Sequence, residues 1–318
     1  MLTLGLVAFL MMGLPVALAL GLSALGATLF GGMPLQFTIL SQKMQFALQN
    51  YILLAIPLFI LAAKLMNTAG ISMRIFRFAD TLVGFLPGGL GHANILGSLI
   101  FSGMSGAAVV DAAGIGQIEH EAMTKSGYPS KFAVACTAAS SIIGPIFPPS
   151  IPMVVFSFVS GVSVGRLFLG GVVPGLLMTA ALMAWVALQA KKHNYPRQPF
   201  PTLEAARKSF AEAVVPLMAP VILLGGIWTG IFTPTEAAGV ASLYALVVGV
   251  FVLRELNFRD LVEAFTATAR ETAVIGFLVA GSAFYGWVLM RTGLTLKLAE
   301  ALLDISRDPT VILILINV

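Results

Sequence analysis

Apolar residues gather along this chain in long runs, without the narrow stripes of a water-facing fold. Runs cover residues 2–30, 51–65, 133–159, 167–190, 213–253, 273–290 and 311–318. A helix rises 1.5 Å per residue, so crossing a bilayer core takes roughly 20 apolar residues. Residues 167–190 form a clean span of that length. Residues 213–253 would make one helix of about 60 Å, so the pattern predicts two, divided at Thr233-Pro234. Residues 2–30 break at Gly13-Leu14-Pro15. Residues 133–159 are interrupted by Pro145, Pro148, Pro149 and Pro152, which cannot continue an α-helix.

Residues 91–120 depart from this pattern. They are moderately apolar, rich in Gly, Ser and Ala, and carry Asp111 in their interior. Two short helices meeting at residues 102–107 fit, giving a re-entrant hairpin. Such backbone persists at membrane depth only where protein or a water-filled cavity surrounds it. Residues 254–271 and 291–307 carry charges among apolar residues at helical spacing and read as interfacial helices.

Composition fixes the solvent. Of 318 residues, 58% are hydrophobic and 10% charged, and the mean hydropathy is +0.96. Soluble domains run about 45–50% apolar and about 25% charged. This excludes a soluble enzyme, a disordered tail and a coiled coil. The 32 glycines suit close helix packing and irregular backbone. The single cysteine, Cys136, allows no internal disulfide and reads as a packing residue. The three histidines, His92, His120 and His193, are scattered without metal-ligand spacing.

Charge placement gives an orientation. The segment 191–208 holds Lys191, Lys192, Arg197, Arg207 and Lys208 and is placed in the cytoplasm. Threading from there puts thirteen of the 18 basic residues on that side. Topology thus accounts for the net charge of +4, and no nucleic-acid partner is expected. No basic residue precedes Lys43, so the first run lacks a signal's charged n-region and reads as a retained span.

An internal repeat emerges. Leu65-Met66-Asn67-Thr68-Ala69-Gly70 resembles Leu289-Met290-Arg291-Thr292-Gly293, and a charged helical segment follows each. Upstream, Gly13-Leu14-Pro15 and Phe232-Thr233-Pro234 each open a Gly/Ala-rich helix, with Ser23 and Ser242 eight residues after the proline. The threading places the two copies in opposite orientations, a hallmark of secondary transporters. The predicted organisation is a first inverted repeat at 1–190, with the hairpin at about 91–120, a broken helix at about 132–160 and a span at 167–190. A cytoplasmic basic loop at 191–211 and a partial second repeat at 212–318 follow. The second hairpin and second broken helix fall beyond Val318, so the sequence is read as truncated at its C-terminus.

Two segments carry candidate chemistry. At the hairpin tip, Ser102, Gly103, Met104, Ser105, Gly106 and Ala107 combine glycines that let backbone approach a ligand with hydroxyls fit for a small cation. A helix starting near Ser105 would aim amides at an anion. In the break, Ser140, Ser141, Ile143, Gly144, Pro145, Pro148, Pro149 and Ser150 free carbonyls that need partners. Asp111 is an intramembrane carboxylate, a functional candidate by default, for a cation, a proton or structural pairing. Glu236 follows Pro234 at a helix start and reads as dipole complementation. Gly103-Met104-Ser105-Gly106 also matches the short pattern of rhomboid-type intramembrane serine proteases, which need a histidine base within reach of the serine.

Together, Gly13-Leu14-Pro15-Val16-Ala17, Ile56-Pro57-Leu58-Phe59, Phe101-Ser102-Gly103-Met104-Ser105-Gly106-Ala107-Ala108, Gly127-Tyr128, Gly144-Pro145-Ile146-Phe147-Pro148-Pro149-Ser150 and Thr233-Pro234-Thr235-Glu236-Ala237 resemble the large membrane subunit of TRAP transporters, the DctM or SiaM type. The resemblance covers nearly the whole chain. It implies an all-α polytopic protein of the bacterial inner membrane, an elevator-type inverted-repeat transporter whose second repeat is incomplete here. It implies a non-enzymatic, Na⁺-coupled importer of organic acids such as C4-dicarboxylates or sialic acid. A small membrane subunit (DctQ type) and a periplasmic substrate-binding protein (DctP type) would be partners, with no cofactor beyond the coupling Na⁺. The first cation site would involve Ser102, Ser105, Ser141 and Gly144. The rival of another class is an ion-coupled exporter or antiporter working without a binding protein.

Overall fold

A computed structural model describes residues 2–31 and 37–317, Phe37 by its backbone alone. The regular structure of the described residues is entirely helical, without β-strands. In chain order the helices are α1 (Leu2–Met11), α2 (Val16–Phe30), α3 (Phe37–Leu48), α4 (Ala55–Thr68, entered through a 3₁₀ turn at Tyr51–Leu54), α5 (Ile71–Val83), α6 (Gly89–Ser105), α7 (Ala108–Ala113), α8 (Ile115–Lys125), α9 (Ser130–Ser141), α10 (Ile151–Ser160), α11 (Val164–His193), α12 (Leu203–Trp228), α13 (Pro234–Val247, prolonged by a π-helical turn at Val248–Val252), α14 (Phe258–Arg291), α15 (Leu294–Ile305) and α16 (Pro309–Asn317). Val318, the last residue of the final apolar run, lies outside the described residues. Among the described residues five stretches are long and apolar enough to cross a membrane: Tyr51–Thr68, Val164–His193, Leu203–Trp228, Pro234–Val252 and Phe258–Arg291.

The breakers act where the pattern placed them. Gly13, at φ 78°, and Pro15 separate α1 from α2. Thr233 caps α13 through a reciprocal bond with Glu236, and Pro234 opens the helix. The matched repeat segments end alike: Gly70 (φ 66°) closes α4 before amphipathic α5, and Gly293 (φ 67°) closes α14 before α15.

The structure corrects two boundaries. The basic loop predicted at 191–211 is confined to 194–202, because α11 runs on to His193 and α12 already starts at Leu203, capped by the Thr202 hydroxyl. Residues 254–271 are not a separate interfacial helix, since α14 continues from Phe258 to Arg291. No Gly or Pro lies between Phe258 and Ile275 to stop it.

The chain forms two compact units, residues 1–50 with 273–318, and residues 51–272. In the first, α1 lies against α2, and Leu2, Ala24, Ala27, Phe284 and Val288 form a small core. In the second, α4 packs along α13, with the Ser242 hydroxyl donating to the Leu58 carbonyl at 2.6 Å and the Thr235 hydroxyl to the Tyr51 carbonyl at 3.3 Å. Lys64 pairs with Glu271 and Arg74 with Glu255, each at 2.5 Å. The 194–202 connection is strapped onto the segments that flank the hairpin on either side. Gln198 donates its backbone N–H to Gly84 O at 2.9 Å and its side-chain amide to Asp80 at 3.0 Å, while Tyr128 donates its hydroxyl to Pro196 O at 2.9 Å. Burial pushes the Tyr128 phenol up to about 12, which keeps that proton in place. Helices α6, α8 and α9 pack mutually within this unit, the arrangement of a hairpin leaning on one half of a broken helix.

Candidate functional site

The hairpin turns at Gly106. Helix α6 ends at Ser105, Gly106 adopts φ 64°, Ala107 is extended, and α7 begins at Ala108. The helix expected to start near Ser105 therefore starts three residues later, and the serine closes the preceding helix instead. The return arm is itself divided at Gly114, giving short α7 and then α8. The second break lies at residues 142–150, between α9 and α10. Four prolines within and just beyond it deny the helix its amides, and the Ser150 side chain re-opens the chain as N-cap of α10, accepting from Met153 N at 3.3 Å.

The two breaks meet. The Gly106 carbonyl accepts the Ile151 amide at 3.1 Å. A Cβ on Gly106 would stand 2.6 Å from the Pro149 carbonyl oxygen, so only glycine brings the tip this close. Gly144 likewise abuts Asp111, whose Oδ2 would lie 2.6 Å from a Cβ at that position. Asp111 is buried at 1% exposure. Its Oδ1 accepts a hydrogen bond from the Ser105 hydroxyl, and its Oδ2 is buried without a hydrogen-bond partner. Ser105, Gly106, Ala107, Asp111, Gly144, Pro149 and Ser150 thus converge from both segments. Gly103 faces Pro220 of α12, with the Pro148 carbonyl at the edge of reach.

Other predicted residues lie around this centre. Ser102 donates to Leu99 O at 2.7 Å within its own helix, and Ser141 donates to Ala138 O at 3.0 Å. Met104 and Ile143 are buried in the apolar core. Pro145 O accepts the Ser150 hydroxyl at 2.5 Å, folding the break on itself. Ser140 belongs to a second polar cluster. It donates to Asn94 Oδ1 at 2.7 Å and lies 3.0 Å from the Ser98 hydroxyl, while Asn94 donates to Thr137 Oγ1 at 2.8 Å. Sequence reasoning missed Asn94, Ser98 and Thr137. The signal was present, because Asn94, Ser98, Ser102 and Ser105 recur at three- and four-residue intervals and form one polar stripe on an apolar helix.

The Ser105 hydroxyl faces a carboxylate. His92 lies on the same helix about 20 Å from Ser105 along its axis, His120 lies against Ser130 at 3.1 Å and His193 against its own helix carbonyl at 3.1 Å. Ser105 therefore lacks the histidine contact of a serine protease among the described residues. A buried carboxylate oxygen, a hydroxyl and a backbone break form a set of hard oxygen donors of the kind that takes an alkali cation.

The structure is that of a helical membrane protein with several apolar spans and two facing backbone breaks. The comparisons give the family. The model of the tripartite ATP-independent periplasmic transporter DctM component matches residues 3–318, and this chain belongs to that family. The sialic acid TRAP transporter large permease SiaM of Vibrio cholerae is 45% identical over 91% of this chain and 72% of its own length. The sialic acid permease SiaT of Haemophilus influenzae is 40% identical over 87% of this chain, which spans under half (45%) of that relative. The C4-dicarboxylate large permease DctM of Vibrio cholerae is 36% identical over 98% of this chain and 73% of its own length. The protein is a transporter permease component and not an enzyme.

Proposed function

We propose that this chain is the large permease subunit of a Na⁺-coupled importer of organic acids, working with a small membrane subunit and a periplasmic substrate-binding protein in the bacterial inner membrane. The observation that carries this reading is the junction of the two breaks, where Asp111 Oδ2 is buried, unpartnered and pressed against Gly144. An unpaired carboxylate at such depth is costly unless something neutralises it. In this reading Na⁺ does so, held by Asp111 and Ser105 where the carboxylate meets Gly144. The cation in turn draws the substrate's carboxylate to the same junction. The substrate class follows the relatives, whose names specify sialic acid and C4-dicarboxylates.

The matched Gly70 and Gly293 terminations support an internal repeat, and the opposite orientation of its copies rests on the placement of the basic residues. The hairpin and broken helix, bonded through Gly106 and Ile151, would then travel as one body in an elevator motion. The test is uptake into proteoliposomes containing the permease, its small subunit and the binding protein. Uptake that requires an inward Na⁺ gradient and the binding protein supports the reading. Uptake that persists without either one defeats it.

A further inference from the structure

Glu119 sits on α8, outside the junction just described. It is fully buried, and both carboxylate oxygens lack a hydrogen-bond partner. The carboxyl lies against Gly97 of α6, where an added Cβ would fall 3.1 Å from Oε1, and Ile115 and Phe76 stand beside the same spot. The missing side chain at Gly97 makes the room this carboxyl occupies. A buried anion needs a cation or several donors, and the surrounding elements offer Glu119 no cation.

Each packed element accounts for its charges among the described residues. On α5, Arg74 is paired with Glu255 at 2.5 Å, Asp80 accepts from Gln198, and Arg77 is exposed. On α6 the one titratable residue is His92, more than a turn before Gly97. On α7, Asp111 adds a like charge, and on α9 the nearby group is the Cys136 thiol, while Lys131 is exposed. On α8 itself, Lys125 pairs with Glu121 at 2.6 Å and His120 lies against Ser130.

We propose that Glu119 is a proton-binding site, separate from the junction at Asp111, whose carboxyl enters the closed hairpin as the neutral acid between Gly97 and Phe76. Closure of α8 onto α6 takes up one proton. Separation of the two helices exposes the carboxyl to water, which accepts the proton as the acid ionises. The hairpin thereby carries an acidity-controlled latch, and alkaline conditions favour its opening. This does not depend on the Na⁺ reading, which rests on other atoms.

The test is infrared spectroscopy of the full chain in lipid nanodiscs at neutral pH. The proposal predicts a carboxylic-acid C=O band that disappears in Glu119→Gln and survives in Asp111→Asn. Glu119→Asp, which keeps an acid, moves the band, and this guards against a variant that fails to fold. At one mildly alkaline pH, amide exchange of α8 is faster in the parent than in Glu119→Gln. A spectrum unchanged by Glu119→Gln, or a band lost only with Asp111, overturns the proposal. Equal exchange rates in parent and Glu119→Gln overturn the latch.

Discussion

The carbonyl of Gly106 accepts the amide of Ile151 at 3.1 Å, so the turn of the hairpin is bonded to the first residue of α10. One main-chain bond therefore ties two breaks far apart in sequence, each of which leaves backbone groups needing partners. Gly106 reaches this position in the left-handed region, at φ 64°. Gly106→Ala meets both obstacles at once. The left-handed conformation alone costs about 1–2 kcal/mol for a residue with a Cβ, and the added carbon would sit 2.6 Å from Pro149 O. The expected outcome is a lower melting temperature and loss of uptake, read by thermal denaturation in detergent and by proteoliposome assay.

Gly144→Ala addresses the other side of the junction. Its Cβ would fall 2.6 Å from Asp111 Oδ2, so the carboxylate must swing away. Uptake is expected to need about tenfold more Na⁺, equivalent to ~1.4 kcal/mol of lost binding. A Na⁺ titration of uptake reads this directly. Unchanged half-saturation would show that Asp111 does not contribute to the cation site.

Asn94 joins α6 to α9 through Thr137 and Ser140, both buried. Asn94→Leu leaves the Thr137 hydroxyl inside the protein without the Asn94 amide, while Ser140 keeps the Ser98 hydroxyl and the Thr137 carbonyl. An orphaned buried group costs about 1–3 kcal/mol, so the melting temperature should fall. Thr137→Val in the same background should then cause little further loss, which a double-mutant cycle checks.

Asp80 provides a pH prediction. Burial holds its carboxyl above the usual carboxylate range, and the Gln198 amide draws it partly back. A raised value means that the folded state binds the proton more tightly than the unfolded chain. The resulting stability is present below about pH 4, the unfolded value, and is lost as pH rises through the raised value. Asp80→Asn stays neutral and still accepts from Gln198. It should therefore flatten the decline in melting temperature over that window and melt higher than the parent at neutral pH. A parallel decline in both proteins would contradict this.

The architecture was legible where the chain carries strong punctuation. Gly13-Leu14-Pro15, Thr233-Pro234 and the prolines between Gly144 and Met153 mark breaks because each residue type removes a helical option by itself. The continuity of α14 was hidden, because charges at helical spacing look the same on an interfacial helix as on an extension beyond a span. The meeting of Gly106 with Ile151 and of Asp111 with Gly144 depends on pairing between distant segments, which no local pattern encodes. Asn94 announced itself as the first member of the polar stripe it forms with Ser98, Ser102 and Ser105, and its role became visible with Thr137 and Ser140 opposite.

The most direct measurement is equilibrium binding of radiolabelled Na⁺ to the purified chain in nanodiscs, compared with Asp111→Asn. If the facing breaks hold the cation as proposed, binding should saturate in the parent, resist competition by K⁺, and vanish in the variant. Equal binding in both proteins would contradict the assignment of the cation to the junction of the hairpin and the broken helix.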